Sequence, residues 1–207
     1  MEWLKNRYLS IGRFLRRDAW SLLWFCTGVF VVTGIFCYWI LRGREQELMQ
    51  MLENLVEMFQ QKGIQDSQDI TPWLLIGNNL KATGLIVVLG VVPFLFLPLV
   101  ALGENAAILS VAAAGYRMLG IPLSTFWAGL LPHGILELPA IVLSAVLGCY
   151  LCREVVKIVI RSPKRKTLNA ILEKSLTCYF LVVVPMILAA GFLEAYVTPM
   201  ILNGFLS

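Results

Sequence analysis

The sequence predicts an all-α fold: a polytopic transmembrane helical bundle of about five spans. Three observations lead there. The 207 residues are 58% hydrophobic and only 14% charged, with a mean hydropathy of +0.77, whereas soluble domains carry about 25% charged residues. Apolar runs near the ~20 residues needed to cross a bilayer recur along the chain. The basic residues cluster beside those runs, as the positive-inside rule requires. The length suits one integral membrane domain, 1–207, with no separate soluble unit. A net charge of +4 placed this way excludes nucleic acid as a partner. The cysteines, Cys26, Cys37, Cys149, Cys152 and Cys178, lie in or beside apolar runs. An odd number so placed makes no disulfide framework, and Cys149 and Cys152 have no second pair to build a zinc site.

Residues 1–18 read as a basic amphipathic helix for the inner leaflet. Leu4, Tyr8, Ile11 and Leu15 recur at helical spacing among Lys5, Arg7, Arg13, Arg16 and Arg17. Residues 19–41 form the first span, too long for a signal-peptide core. Residues 42–72 are an extracytoplasmic helix and loop. Leu48, Met51, Leu52, Leu55, Met58 and Phe59 make its apolar stripe, continuing helically from the first span, with Gly63 as C-cap and 64–70 as loop. Thr71 and Pro72 supply an N-cap and a first helical residue for a second span, 73–99. Pro93 and Pro98 should bend or end that span. Gly103, Glu104 and Asn105 read as a break before a third span, 105–119, in which Ala106, Ser110 and Ala114 repeat as small-xxx-small. Gly120 to Pro122 breaks the chain again, and 123–131 reads as a short interfacial or re-entrant helix. Pro132 opens the fourth span, 132–152. A basic loop, 153–174, follows, then a fifth span, 175–196. Five spans put the N-terminus and the basic loop together in the cytoplasm of a multi-pass cell-membrane protein.

That topology lines up the polar residues. Asn78, Asn79 and Lys81 of span two, Arg117 of span three, His133 and Glu137 of span four, and Glu194 of span five all fall toward the outer leaflet. Two cations and two carboxylates at one level would neutralise each other where an unpaired charge costs several kcal/mol. His133, Glu137, Ala140, Ser144 and Gly148 step by four, three, four and four, which puts polar and then small groups on one inward stripe. Pro139 frees the carbonyl of Ile135 just below Glu137. Such a cluster can serve as glue for the bundle, as an ion or proton relay, or as a docking pocket. Catalysis, a metal site and a cofactor are not expected. The chain has one histidine, so no H-E-x-x-H site can form, and it has no nucleophile elbow.

The segment 132–140, PHGILELPA, resembles the signature of the stage II sporulation protein M family. The resemblance extends to Asn78, Asn79, Leu80 and Lys81, and to 194–199, EAYVTP. It implies a multi-pass, non-enzymatic membrane protein that scaffolds cell-wall partners during peptidoglycan removal and engulfment in sporulation. The rival expectation is a transporter or channel component using the His/Glu cluster. Membrane lipid and other membrane or cell-wall proteins, with self-association included, are the expected partners.

Overall fold

The computed structural model describes residues 2–61 and 71–206. Among them there is no strand, and five helices are long and apolar enough to cross a membrane. The chain is thus the all-α polytopic bundle its composition predicts. The expected cap at Gly63 and the loop at 64–70 lie outside the described residues.

The amphipathic α1 (Glu2–Phe14) passes through a π turn, Leu15–Ala19, into α2 (Trp20–Leu41). α2 is not continuous with the next helix. Gly43, at φ 97°, turns the chain so that α3 (Glu45–Gln61) packs on the C-terminal half of α5 (Leu97–Met118). Leu41, Leu48, Val111 and Ala114 form a small core there.

Between these, α4 (Pro72–Leu89) starts as the sequence predicts, with the Thr71 hydroxyl accepting from the Leu74 N–H at 3.3 Å. The end of the second span and the start of the third need correction. The chain leaves helix at 90–96, not at 103–105. Pro93 has no N–H to continue α4, Phe94 and Phe96 adopt left-handed conformations, and Pro98 sits in the first turn of α5. Asn105 stays helical because its side-chain amide donates to the Ala101 carbonyl at 2.8 Å. Gly103 faces Thr33 of α2.

A second correction concerns 123–131. These residues are not a separate interfacial or re-entrant piece but the opening turns of α6 (Leu123–Val159), a 37-residue helix that runs through Pro132 and Pro139. At 1.5 Å per residue it is about 55 Å long, well beyond the ~30 Å hydrocarbon layer. α6 is the axle of the bundle: 72% of its most apolar window is buried, against 6% for the α1–α2 helix, whose Trp24, Val32, Ile35, Phe36 and Trp39 remain exposed to lipid or a partner. The small stripe on α6 lets neighbours close in. Ala140 and Ser144 are fully buried, and Gly148 meets Gly90 backbone to backbone.

The last span runs through α7 (Leu168–Cys178), a π turn at Tyr179–Val183, α8 (Val184–Phe192), a second π turn at Leu193–Val197, and α9 (Thr198–Leu206). Each of these π turns ends two residues before a proline, Pro185 or Pro199. A proline cannot donate to the carbonyl four residues back and its ring crowds that carbonyl, so a wider turn relieves the clash. The Leu181 carbonyl released by Pro185 accepts the Tyr8 hydroxyl at 3.2 Å.

Ion pairs hold α1 to the far end of the chain. Asp18 takes Lys166 and Lys174, each at 3.0 Å, and Arg7 takes Glu173 at 2.7 Å. Beneath them Glu154 is fully buried, and its Oε1 accepts from Lys157 at 2.7 Å and Arg153 at 3.2 Å. The two basic regions of the sequence therefore meet at one end of the bundle.

Candidate functional site

His133 and Glu137 lie one turn apart on one face of α6, as i and i+4 residues must. The structure places them about three to four turns inside the helix rather than at its mouth, because α6 begins at Leu123. Glu194 approaches from the second π turn of the last span. Gly191, one turn earlier, lets that span press onto Ile76 of α4. One donor atom from each of His133, Glu137 and Glu194 lies within 4.8 Å of the others, and all three residues are half-buried. Asn79 of α4 stands beside Glu137.

Thr198, buried on α9, completes the group. Its hydroxyl donates to the Leu193 carbonyl at 3.3 Å and lies 3.2 Å from His133 Nδ1. When the hydroxyl gives its proton to Leu193 it accepts from the ring, and His133 is then the Nδ1–H tautomer with a free lone pair on Nε2; when it gives its proton to Nδ1, the roles reverse. Nothing in the sequence pattern singled out Thr198 by itself; the signal was its place in the EAYVTP segment.

The expected charge balance does not form. Lys81 is exposed. It follows Asn79 by two residues, which is about 200° around the helix, so it shares the level of the cluster but not its face. Arg117 lies at another corner, where it reaches the Tyr38 hydroxyl at 3.4 Å beside Leu41, Arg42 and Leu48. Asn78, half-buried, is turned about 100° from Asn79. Among the described residues no lysine or arginine forms an ion pair with Glu137 or Glu194. Were both carboxylates ionised about 5 Å apart, they would repel by roughly 3 kcal/mol at an effective dielectric of about 20. The group favours a cation or a proton between them. The sequence has one histidine. What folding supplies is a third donor from a distant helix, and these three residues could hold a metal ion.

A second polar set joins α4 to the last span below the cluster. The Tyr179 hydroxyl donates to the Leu80 carbonyl at 3.1 Å and lies 3.1 Å from the Thr83 hydroxyl, which bonds the Asn79 carbonyl at 2.7 Å. Gly84 leaves room for that tyrosine; a Cβ there would sit 3.2 Å from its oxygen. This set fixes the height of Asn79 against the last span.

No curated protein and no solved structure matches this chain. A family profile does: Stage II sporulation protein M matches residues 22–199, from the start of α2 to the start of α9. The matched region contains His133, Glu137, Asn79, Glu194 and Thr198, and the chain belongs to the Stage II sporulation protein M family.

Proposed function

We propose that this chain is a non-enzymatic, multi-pass protein of the cell membrane that scaffolds or recruits partners in the envelope. Peptidoglycan remodelling during sporulation is the task that family resemblance implies. One observation carries the reading. α3 stands outside the apolar spans with one face locked on α5 through Leu48 and Leu52, while its other face is exposed. That free face carries Glu45, Glu47, Glu53 and Glu57 beside exposed Met49, Met51 and Val56. Carboxylates around a small apolar centre suit docking to a basic protein surface. The N-terminus is cytoplasmic in this reading, which puts α3 outside.

The test is co-purification after cross-linking in cells. Reversing Glu47, Glu53 and Glu57 to lysine should cut partner recovery at least tenfold while the purified chain keeps its melting temperature. Unchanged recovery would remove α3 as the docking face.

The His133, Glu137 and Glu194 group favours a second reading, an ion or proton path. Liposomes separate the two. Flux through the purified chain that disappears in Glu137→Gln and Glu194→Gln supports a transporter, and absence of flux supports the scaffold.

A further inference from the structure

We propose that His133, Glu137 and Glu194 bind one divalent first-row metal ion of the Zn2+ or Mn2+ type, clamping α6 to the last span. Three features of the geometry lead there. The donors come from two helices and converge within 4.8 Å, and ligands around an ion at 2.0–2.2 Å sit about 3.4 Å apart.

The supporting contacts are those a bound ion needs. A metal-binding imidazole donates its other N–H to a fixed acceptor, and a binding carboxylate is itself hydrogen-bonded. Here the Thr198 hydroxyl lies 3.2 Å from His133 Nδ1, placed to take its N–H, and Asn79 stands beside Glu137. In the Nδ1–H tautomer Nε2 is the ligand nitrogen.

Charge gives the third argument. Two carboxylates and a neutral imidazole sum to −2, and a divalent ion brings the group to zero. No nearby lysine or arginine among the described residues does this. At this depth in a membrane helix, a neutral group is the form that costs least. One imidazole and two carboxylates, with no thiolate, disfavour Cu(I); too few oxygens gather to suit Ca2+. Three protein ligands leave a fourth position open. The inference is independent of the scaffold reading, since a clamp of this kind serves either a scaffold or a transporter.

The experiment uses the full chain in detergent, stripped with a chelator and desalted. Zn2+ and Mn2+ are added separately, and bound metal is counted by elemental analysis alongside the melting temperature. One ion per chain with a higher melting temperature is expected. Glu137→Gln with Glu194→Gln should abolish retention, and Thr198→Val should weaken it about 10- to 100-fold. Lys81→Gln should leave it unchanged. Retention of either ion that survives the double variant, or no saturable binding by a folded chain, overturns the proposal. If the double variant does not fold, Co2+ added to the wild-type chain decides. Intense visible d–d bands of a low-coordinate N/O site support the clamp, and the weak spectrum of hydrated Co2+ overturns it.

Discussion

Asp18 shows how one residue can close the bundle. It sits just before the first apolar run, yet both its partners, Lys166 and Lys174, come from the opposite end of the sequence. Burial pushes its carboxyl up, but hydrogen bonds and charge from the two lysines outweigh burial and hold it below the ordinary value. The sign follows from linkage. A carboxyl depressed in the folded state stabilises that state fully above about pH 4, and the contribution fades as pH falls below it. All three side chains remain partly solvated, so Asp18→Asn should cost only about 1 kcal/mol at neutral pH. Hydrogen exchange in α1 measures this: wild type should loosen below pH 4, and the variant should be loose already at pH 7. Glu154 is the harsher case. It is fully buried under Arg153 and Lys157, and Glu154→Ala leaves Lys157 without this acceptor while Arg153 keeps the Asp18 carbonyl, at a cost of about 2–3 kcal/mol in thermal melts. In the sequence Glu154 is one acid at the start of the basic 153–174 loop, and nothing there marks it as buried. The His133 and Glu137 pair was legible, because helical spacing alone puts i and i+4 together. Lys81 and Arg117 share the level of the cluster without joining it, because level along the membrane normal is not proximity. Facing depends on rotation about each helix, and apolar spans carry little rotational signal when lipid and core are both hydrocarbon.

At the scale of elements, the bundle is built on close backbone approach. A Cβ on Gly148 would lie 2.6 Å from the Ile86 carbonyl and from Pro98 Cγ, whereas one on Gly77 would meet nothing within 4 Å. Gly148→Ala should therefore destabilise by about 1–3 kcal/mol, since backbone and a proline ring cannot step aside. Gly77→Ala should be neutral or stabilising by up to ~1 kcal/mol through helix propensity. Melting of the two variants in one detergent checks the contrast, and equal effects would show that the α4–α6 approach is looser than described. The stripe ending at Gly148 could be read from the sequence because small residues repeat at helical spacing. Helix ends could be read only where capping chemistry is local, as at Thr71 and Pro72. The break at Gly120 to Pro122 is also where the sequence puts it, but neither 103–105 nor Pro132 ends a helix. Glycine, asparagine and proline mark breaks in loops, but within a packed bundle a side-chain amide such as Asn105 or a neighbouring helix satisfies what they disturb. The π turns had a sequence signal in Pro185 and Pro199, though prolines alone do not say whether a helix kinks, ends or widens.

Over the whole molecule, the charge pattern and the packing converge on one topology. α1, with Lys5, Arg7, Arg13, Arg16 and Arg17, is joined to the 161–174 region by Asp18, Lys166, Lys174, Arg7 and Glu173. These contacts hold both basic regions at one end of the bundle, and the positive-inside rule is the ground on which we propose the cytoplasm for that end. α3 hangs from the other end of α2 and packs near the end of α5 that leads into α6. An odd number of crossings then follows from contacts as well as from hydropathy. Single cysteines at exposed Glu53 on α3 and exposed Lys164 in the basic loop test this directly. Four of the native cysteines are buried, so a Cys37→Ser background leaves them silent. A membrane-impermeant maleimide should label Glu53→Cys on intact cells and Lys164→Cys only after permeabilisation. Labelling of both on intact cells would mean an even number of crossings between them, which would dismantle the bundle because α4, α5 and α6 could not all span. The reverse pattern would keep the fold and invert its orientation. It would turn the acidic α3 face toward the cytoplasm and move any partner it recruits to that side.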